Sequence, residues 1–158
     1  MLSKEPNVLI HENYMQYCLE LAKKALNNRD PPLGSILVYQ NNIIGEGIES
    51  GKSTGDITNH AEILSVRDAI SKGNREELKN ATMYSTHEPC IMCSYLIRHH
   101  KIPVLVFGIS VDHIGGSTSE FDLLGNENIP KWGSKPHIIG GILSEACQEL
   151  NRLFLDSL

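Results

Sequence analysis

Two short segments constrain this chain more than any other feature: His60-Ala61-Glu62 and, about thirty residues later, Pro89-Cys90-Ile91-Met92-Cys93. Each stands at the start of a run with helical spacing. Ile63, Val66 and Ile70 follow the first, which places them on one helix face. Pro89 suits a first helical turn and leads a helix expected over 90–100. Between the two runs, residues 81–86 read as a strand. A fold that uses both segments together has to bring two helix starts to one point.

The rest of the chain supplies a frame for that. A helix is expected over 12–28, with Tyr14, Cys18, Leu21 and Ala25 on one face and Asn28-Arg29-Asp30-Pro31-Pro32 ending it. Two β-rich runs, 35–39 and 43–47, flank Asn41-Asn42 as a hairpin. Residues 49–58 read as a loop, and Gly73-Asn74 ends the helix that starts near His60. A buried strand is expected over 104–108, a last short strand over 137–142, and a final helix capped by Ser144 running almost to Leu158. The segment 110–135 is long for a connection, and such segments often act as lids. Strands alternating with helices predict a three-layer α/β/α sandwich around a mixed, partly parallel sheet. Nothing marks a repeat or linker, and 158 residues read as one domain, 1–158.

Composition narrows the class. The chain is 41% apolar and 21% charged, ordinary values for a globular protein. No apolar run approaches the roughly 20 residues that span a bilayer. The start, MLSKEPNVLIHENY, lacks a basic region followed by a long apolar stretch, so the expected compartment is the cytoplasm. The net charge of −5 does not favour a nucleic-acid partner, although a local basic patch can sit within an acidic total. In a reducing compartment the four cysteines are thiols or metal ligands rather than disulfides. Cys18 and Cys147 sit alone in helix-like stretches and read as small core residues.

The two segments carry metal chemistry. A catalytic zinc ion takes three protein ligands and leaves one position for water, whose pKa falls toward about 7. Cys90 and Cys93, three apart at a helix start, can face one ion, and the helix N-terminus favours their thiolates. His60 completes a Cys₂His set. Glu62 is placed to move protons without binding the metal. Two blander readings compete. A structural zinc site needs a fourth ligand, and there is no second C-x-x-C. A redox pair has no need of His60 and Glu62. His99 and His100, at a helix end, suit the helix dipole; His11 and His137 have no evident partner. Asn59, His87 and Glu88 adjoin the ligands and read either as substrate or supporting residues, or as structural ones.

The H-x-E and P-C-x-x-C combination is a general mark of zinc deaminases, and most of this chain resembles the cytidine deaminase superfamily. The branch it looks closest to holds tRNA adenosine deaminases, guanine deaminases and fungal cytosine deaminase. Pro32-Leu33-Gly34-Ser35-Ile36-Leu37-Val38 resembles the family's first strand and Ile44-Gly45-Glu46-Gly47 its second. His60 to Ile63 and Met83 to Cys93 resemble its catalytic core, and Gly141 to Cys147 the start of the last helix of tRNA adenosine deaminases. The resemblance implies a five-stranded sheet, a homodimer with one zinc per subunit, and hydrolytic release of ammonia from a nucleobase. It makes His60, Cys90 and Cys93 the metal ligands and Glu62 the catalytic acid–base. Glu49, Asn59, Ala61, His87, Glu88, His113 and Trp132 are the candidate substrate residues.

Substrate is where the chain departs from that branch. An Asn commonly follows the second strand there and bonds the base; Glu49 stands in its place. A carboxylate only accepts hydrogen bonds, so a pocket-facing Glu49 calls for a ligand with N–H donors. The tRNA enzymes usually end in a basic tail. Here 152–158 carries one cation, and 110–135 only Lys131 and Lys135. Phe121 and Trp132 in that segment either stack on a ligand or pack against the sheet. The leading expectation is therefore a small amino-substituted base or nucleoside of guanine, cytosine or adenine type. The alternatives are adenosine-to-inosine conversion in a tRNA anticodon and a non-catalytic zinc fold, against which Glu62 argues.

Overall fold

The computed structural model describes residues 6–158; residues 1–5, the start of the segment read for a targeting signal, lie outside them. Helix α1 (Pro6–Asn27) is followed by the hairpin β1 (Gly34–Tyr39) and β2 (Asn42–Ile48), a single helical turn α2 (Gly51–Thr54), and α3 (Ala61–Ser71). Then come β3 (Thr82–His87), α4 (Ile91–His99), β4 (Val104–Ile109), β5 (His137–Ile139) and α5 (Ser144–Asp156). The sheet order is β2-β1-β3-β4-β5. β1 pairs antiparallel with β2 and β3, whereas β3–β4 and β4–β5 are parallel. This is the mixed α/β/α sheet that the alternation of elements predicts, with the five strands that the resemblance implies.

Each strand feeds two cores because successive side chains point to opposite faces. Ile36, Val38, Tyr84 and Val106 pack with α1 and α5 on one side. Leu37, Met83, Leu105 and Phe107 pack on the other with Val66 and Ala69 of α3 and Ile97 of α4. Cys18 and Cys147 are fully buried in the first core, where burial pushes both thiols up, Cys147 to about 12. Contacts between β2 and α3 are close because β2 carries Gly45 and Gly47. A Cβ on Gly47 would meet the Ala61 carbonyl, and one on Gly45 the Ser65 carbonyl.

Several boundaries differ from the sequence expectation. α1 begins at Pro6, well before residue 12. The 49–58 loop contains the turn α2. β5 stops at Ile139, because Gly141 (φ 82°) and Leu143 (φ 51°) turn the chain, and Ser144 becomes the first helical residue instead of the cap. His11 has a partner after all: its Nδ1 lies 2.8 Å from the Tyr84 hydroxyl.

The segment 110–135 is anchored to the body of the domain at several points. Two buried charges hold it from beneath. Glu88 accepts backbone N–H groups of Val111, Ser117 and Thr118 at 2.9, 2.8 and 2.7 Å, and the Thr118 hydroxyl at 2.6 Å. Arg98 donates to the carbonyls of Leu123, Leu124, Asn126 and Gly133.

Candidate metal centre and active-site cavity

Both sequence segments end up at one end of the strands because the central strand β3 delivers the chain there. β3 ends at His87, and Cys90 follows as the N-cap of α4; His60 is the N-cap of α3. The positive ends of two helices therefore converge on the ligands. His60 Nδ1 lies 3.5 Å from the sulfur of Cys90 and 3.5 Å from that of Cys93. All three donor atoms fall within 4.8 Å of one another. Tetrahedral zinc with ordinary Zn–N and Zn–S bonds holds N and S about 3.6 Å apart, so the residues fit the ion.

Their electrostatics fit it as well. The Cys90 thiol is drawn down to about 4, first by its hydrogen bond with Cys93 and then by His60. His60 is pushed up to about 9, mainly by Cys90, and Cys93 well above its usual value by Cys90 and by burial. Cys90 is thus a ready thiolate, while His60 and Cys93 give up protons when metal arrives.

Glu62, 1% exposed, sits in the first turn of α3 beside this cluster. Its Oε1 accepts the Ser85 hydroxyl at 2.9 Å, and the Cys93 thiol lies 3.4 Å from its Oε2. Burial raises its pKa, the direction expected of a carboxyl that takes and returns protons near neutrality.

A cavity of about 340 Å³ opens over the ligands, walled by Pro31, Leu33, Glu49, His87, Val111, Ile114 and, from α5, Asn151. Glu49 therefore faces the cavity. It is 6% exposed, its Oε2 accepts the Ala61 N–H at 2.9 Å, and burial pushes its carboxyl up to about 7. His87 is buried on the wall and held neutral by desolvation, with a pKa near 4.

Other candidates are placed differently. Glu88 reaches the cavity wall, but its carboxylate is saturated by the 111–118 backbone and so is a clamp rather than a free ligand group. The N–H of Ala61 is taken by Glu49. The Asn59 amide bonds Thr54 and Arg67. His113 is exposed, at φ 67°, and does not line the cavity. Trp132, 6% exposed, packs under the Arg98 guanidinium (5.0 Å) and against Tyr95 instead of lining the cavity, and Phe121 is exposed. Asn151 gave no signal in sequence, since only the tertiary fold brings α5 to this end of the strands.

Residues 9–109 match the family described as the cytidine and deoxycytidylate deaminase zinc-binding region. The chain belongs to that deaminase family. The deaminase domain is 35% identical over 149 residues to a tRNA-specific adenosine deaminase 2 from Xenopus tropicalis, covering 90% of this chain and 87% of that protein. It is 38% identical over 145 residues to the tRNA-specific adenosine deaminase of Haemophilus influenzae, covering 90% and 82%. Among solved structures, one from a study of A-to-I editing by tRNA:A34 deaminases superposes with TM-score 0.79 at 27% identity, over 87% of this chain and 98% of the other. A guanine deaminase from Nitrosomonas europaea shares the fold, with TM-score 0.74 at 18% identity over 98% and 94%. As a zinc-binding deaminase domain, the protein has its candidate zinc site at His60, Cys90 and Cys93.

Proposed function

We propose that residues 1–158 form one deaminase domain that converts adenosine to inosine in tRNA by hydrolysis. The observation that carries the substrate assignment is the 35% identity to the Xenopus protein over nearly the whole of both chains. It weighs against the free base favoured by the charge pattern. Zinc would be held by His60, Cys90 and Cys93 and would supply a Lewis acid that makes water nucleophilic at neutral pH. Glu62 takes a proton from the attacking water as the water oxygen bonds to C6 of adenine. The carboxyl passes that proton to ring N1, then takes the proton of the new C6 hydroxyl and delivers it to the departing amine. The C6–N6 bond breaks, ammonia leaves, and inosine remains. Ser85 fixes the Glu62 carboxyl at 2.9 Å during both transfers.

A free amino-substituted base is the second reading, and Glu49 favours it. Adenine offers only acceptors beyond its reacting amine, whereas guanine offers N–H donors to a carboxylate. Burial that leaves Glu49 near half-protonated at neutral pH reconciles it with adenine, because a neutral carboxyl donates.

The test is conversion of an anticodon stem-loop bearing adenosine, beside ammonia release from free bases. It is run on the chain alone and with a co-expressed second subunit, as a Schizosaccharomyces pombe relative is named a subunit. Native mass reports whether the chain alone is the homodimer that the family resemblance implies. Glu62→Gln keeps the zinc and lowers kcat by at least about 10²-fold. Turnover of free bases with no inosine in RNA would sink the tRNA reading.

A further inference from the structure

A second cavity, of about 560 Å³, is lined by Arg29, Lys52, Ser157 and Leu158. Three of its lining residues come from segments that also line the active-site cavity. Arg29 lies two residues before Pro31, Lys52 three residues after Glu49, and Ser157 six residues beyond Asn151. Pro31, Glu49 and Asn151 all wall the active-site cavity, so the same three segments contribute to both linings.

Both cations are available. Among the described residues neither has a carboxylate partner, unlike Lys23, Lys72, Lys79 and Arg152. The nearby Asp30 carboxylate is buried and taken up by the Ser53 N–H and hydroxyl. Lys52 is held in place, its Nζ 5.3 Å from the Phe154 ring centroid. The last turn of α5 offers no bare carbonyls to repel an anion at Phe154 and Leu155, since Ser157 and Leu158 N–H groups bond them.

Arg29 adds an independent argument. The N–H of Asp30 bonds the Ala25 carbonyl and that of Arg29 the Leu26 carbonyl, the double bond of a Schellman close to α1. Arg29 takes the left-handed position, φ 65°, where glycine is the unstrained residue. A long cation held at a position that favours glycine points to a use for its charge.

We infer that Arg29 and Lys52 form a phosphate subsite for the polynucleotide substrate, gripping a backbone phosphate of a nucleotide next to the base in the cavity. This rests on the tRNA reading. It gives a net-acidic chain a local basic contact.

Arg29→Gly is a discriminating variant because it removes the cation and relieves the strain, so the fold is retained. Lys52→Gln is the second, and Lys79→Gln is a control with the same charge change on an already paired lysine. Binding and deamination of the anticodon stem-loop are measured between low and moderate salt. Each of the first two variants raises Kd and KM about tenfold, flattens the salt slope of log Kd by about 0.7 to 1, and spares kcat at saturating RNA. The control does none of this. Unaltered Kd and salt slope in both variants, with wild-type protein active on RNA, overturn the subsite and leave the tRNA reading standing. A wild-type protein that neither binds nor edits the stem-loop overturns both.

Discussion

Glu88 is the residue whose loss the structure prices most clearly. Its carboxylate, 1% exposed, is the acceptor for three backbone N–H groups and one hydroxyl of 111–118. Glu88→Ala leaves those donors with nothing in reach. Each unsatisfied buried N–H costs about 1–3 kcal/mol, which for three sets an upper bound of about 9. Val111 and Ser117 are only half-buried and Thr118 is exposed, so entering water recovers part of this. A net loss of about 3–5 kcal/mol follows, a large share of the 5–15 kcal/mol typical of a domain. Glu88→Gln keeps one acceptor oxygen but turns an NH₂ toward facing donors, and should cost about 2 kcal/mol. Neighbouring glycines leave no room for repair, because a Cβ on Gly115 would strike the carboxylate and one on Gly116 the Ser94 hydroxyl. Urea denaturation at constant m-value reads the cost, and amide exchange at Val111, Ser117 and Thr118 reads its location. The same segment carries Val111 and Ile114 into the cavity wall, so KM rises before kcat falls. A Glu88→Ala protein within 1 kcal/mol of wild type, or with unaltered protection at those amides, would refute the clamp.

Three further outcomes follow from the site. Cys90→Ser removes the ligand already poised as a thiolate, so zinc stoichiometry drops toward zero by metal analysis while the secondary structure seen by circular dichroism persists; full zinc in the variant argues for a different ligand set. Gly47→Ala drives a methyl into the Ala61 carbonyl, between His60 and Glu62; an overpacking cost of about 1–3 kcal/mol and weaker zinc retention against a chelator are expected together, and a stability loss alone shows that the strain is absorbed elsewhere. In the metal-free protein, Glu49 keeps its proton to about pH 7 whereas an unfolded glutamate releases it near 4.5, so its contribution is intact below 4.5 and is lost as pH climbs to 7; Glu49→Gln lacks this loss, so its melting temperature gains on wild type across that window, and a pH-independent difference refutes the assignment.

Local chemistry made much of the fold legible. The hairpin around Asn41-Asn42 and the helix starts at His60 and Cys90 follow from turn residues and apolar spacing acting over a few positions. What escaped was set by tertiary geometry. β5 is cut short by a left-handed turn at Leu143, a residue with no intrinsic preference for it. The 110–135 segment reads as loose because its anchors, Glu88 and Arg98, lie outside it in sequence.

The site divides along the same line. His60, Cys90 and Cys93 were readable because one ion demands specific atoms at specific spacings, and Glu62 falls beside them. Glu88 illustrates the opposite case. Its place between His87 and Pro89 made it a substrate candidate, yet both carboxylate oxygens are spent on backbone N–H groups more than twenty residues away. Glu49 differs from it in one respect that only coordinates reveal: one oxygen is bonded to Ala61 and the carboxyl still borders the cavity. Two buried glutamates thus flank the same site with opposite consequences. One holds the wall and is indifferent to the base. The other borders the cavity, and its protonation decides whether that edge accepts a hydrogen bond or donates one.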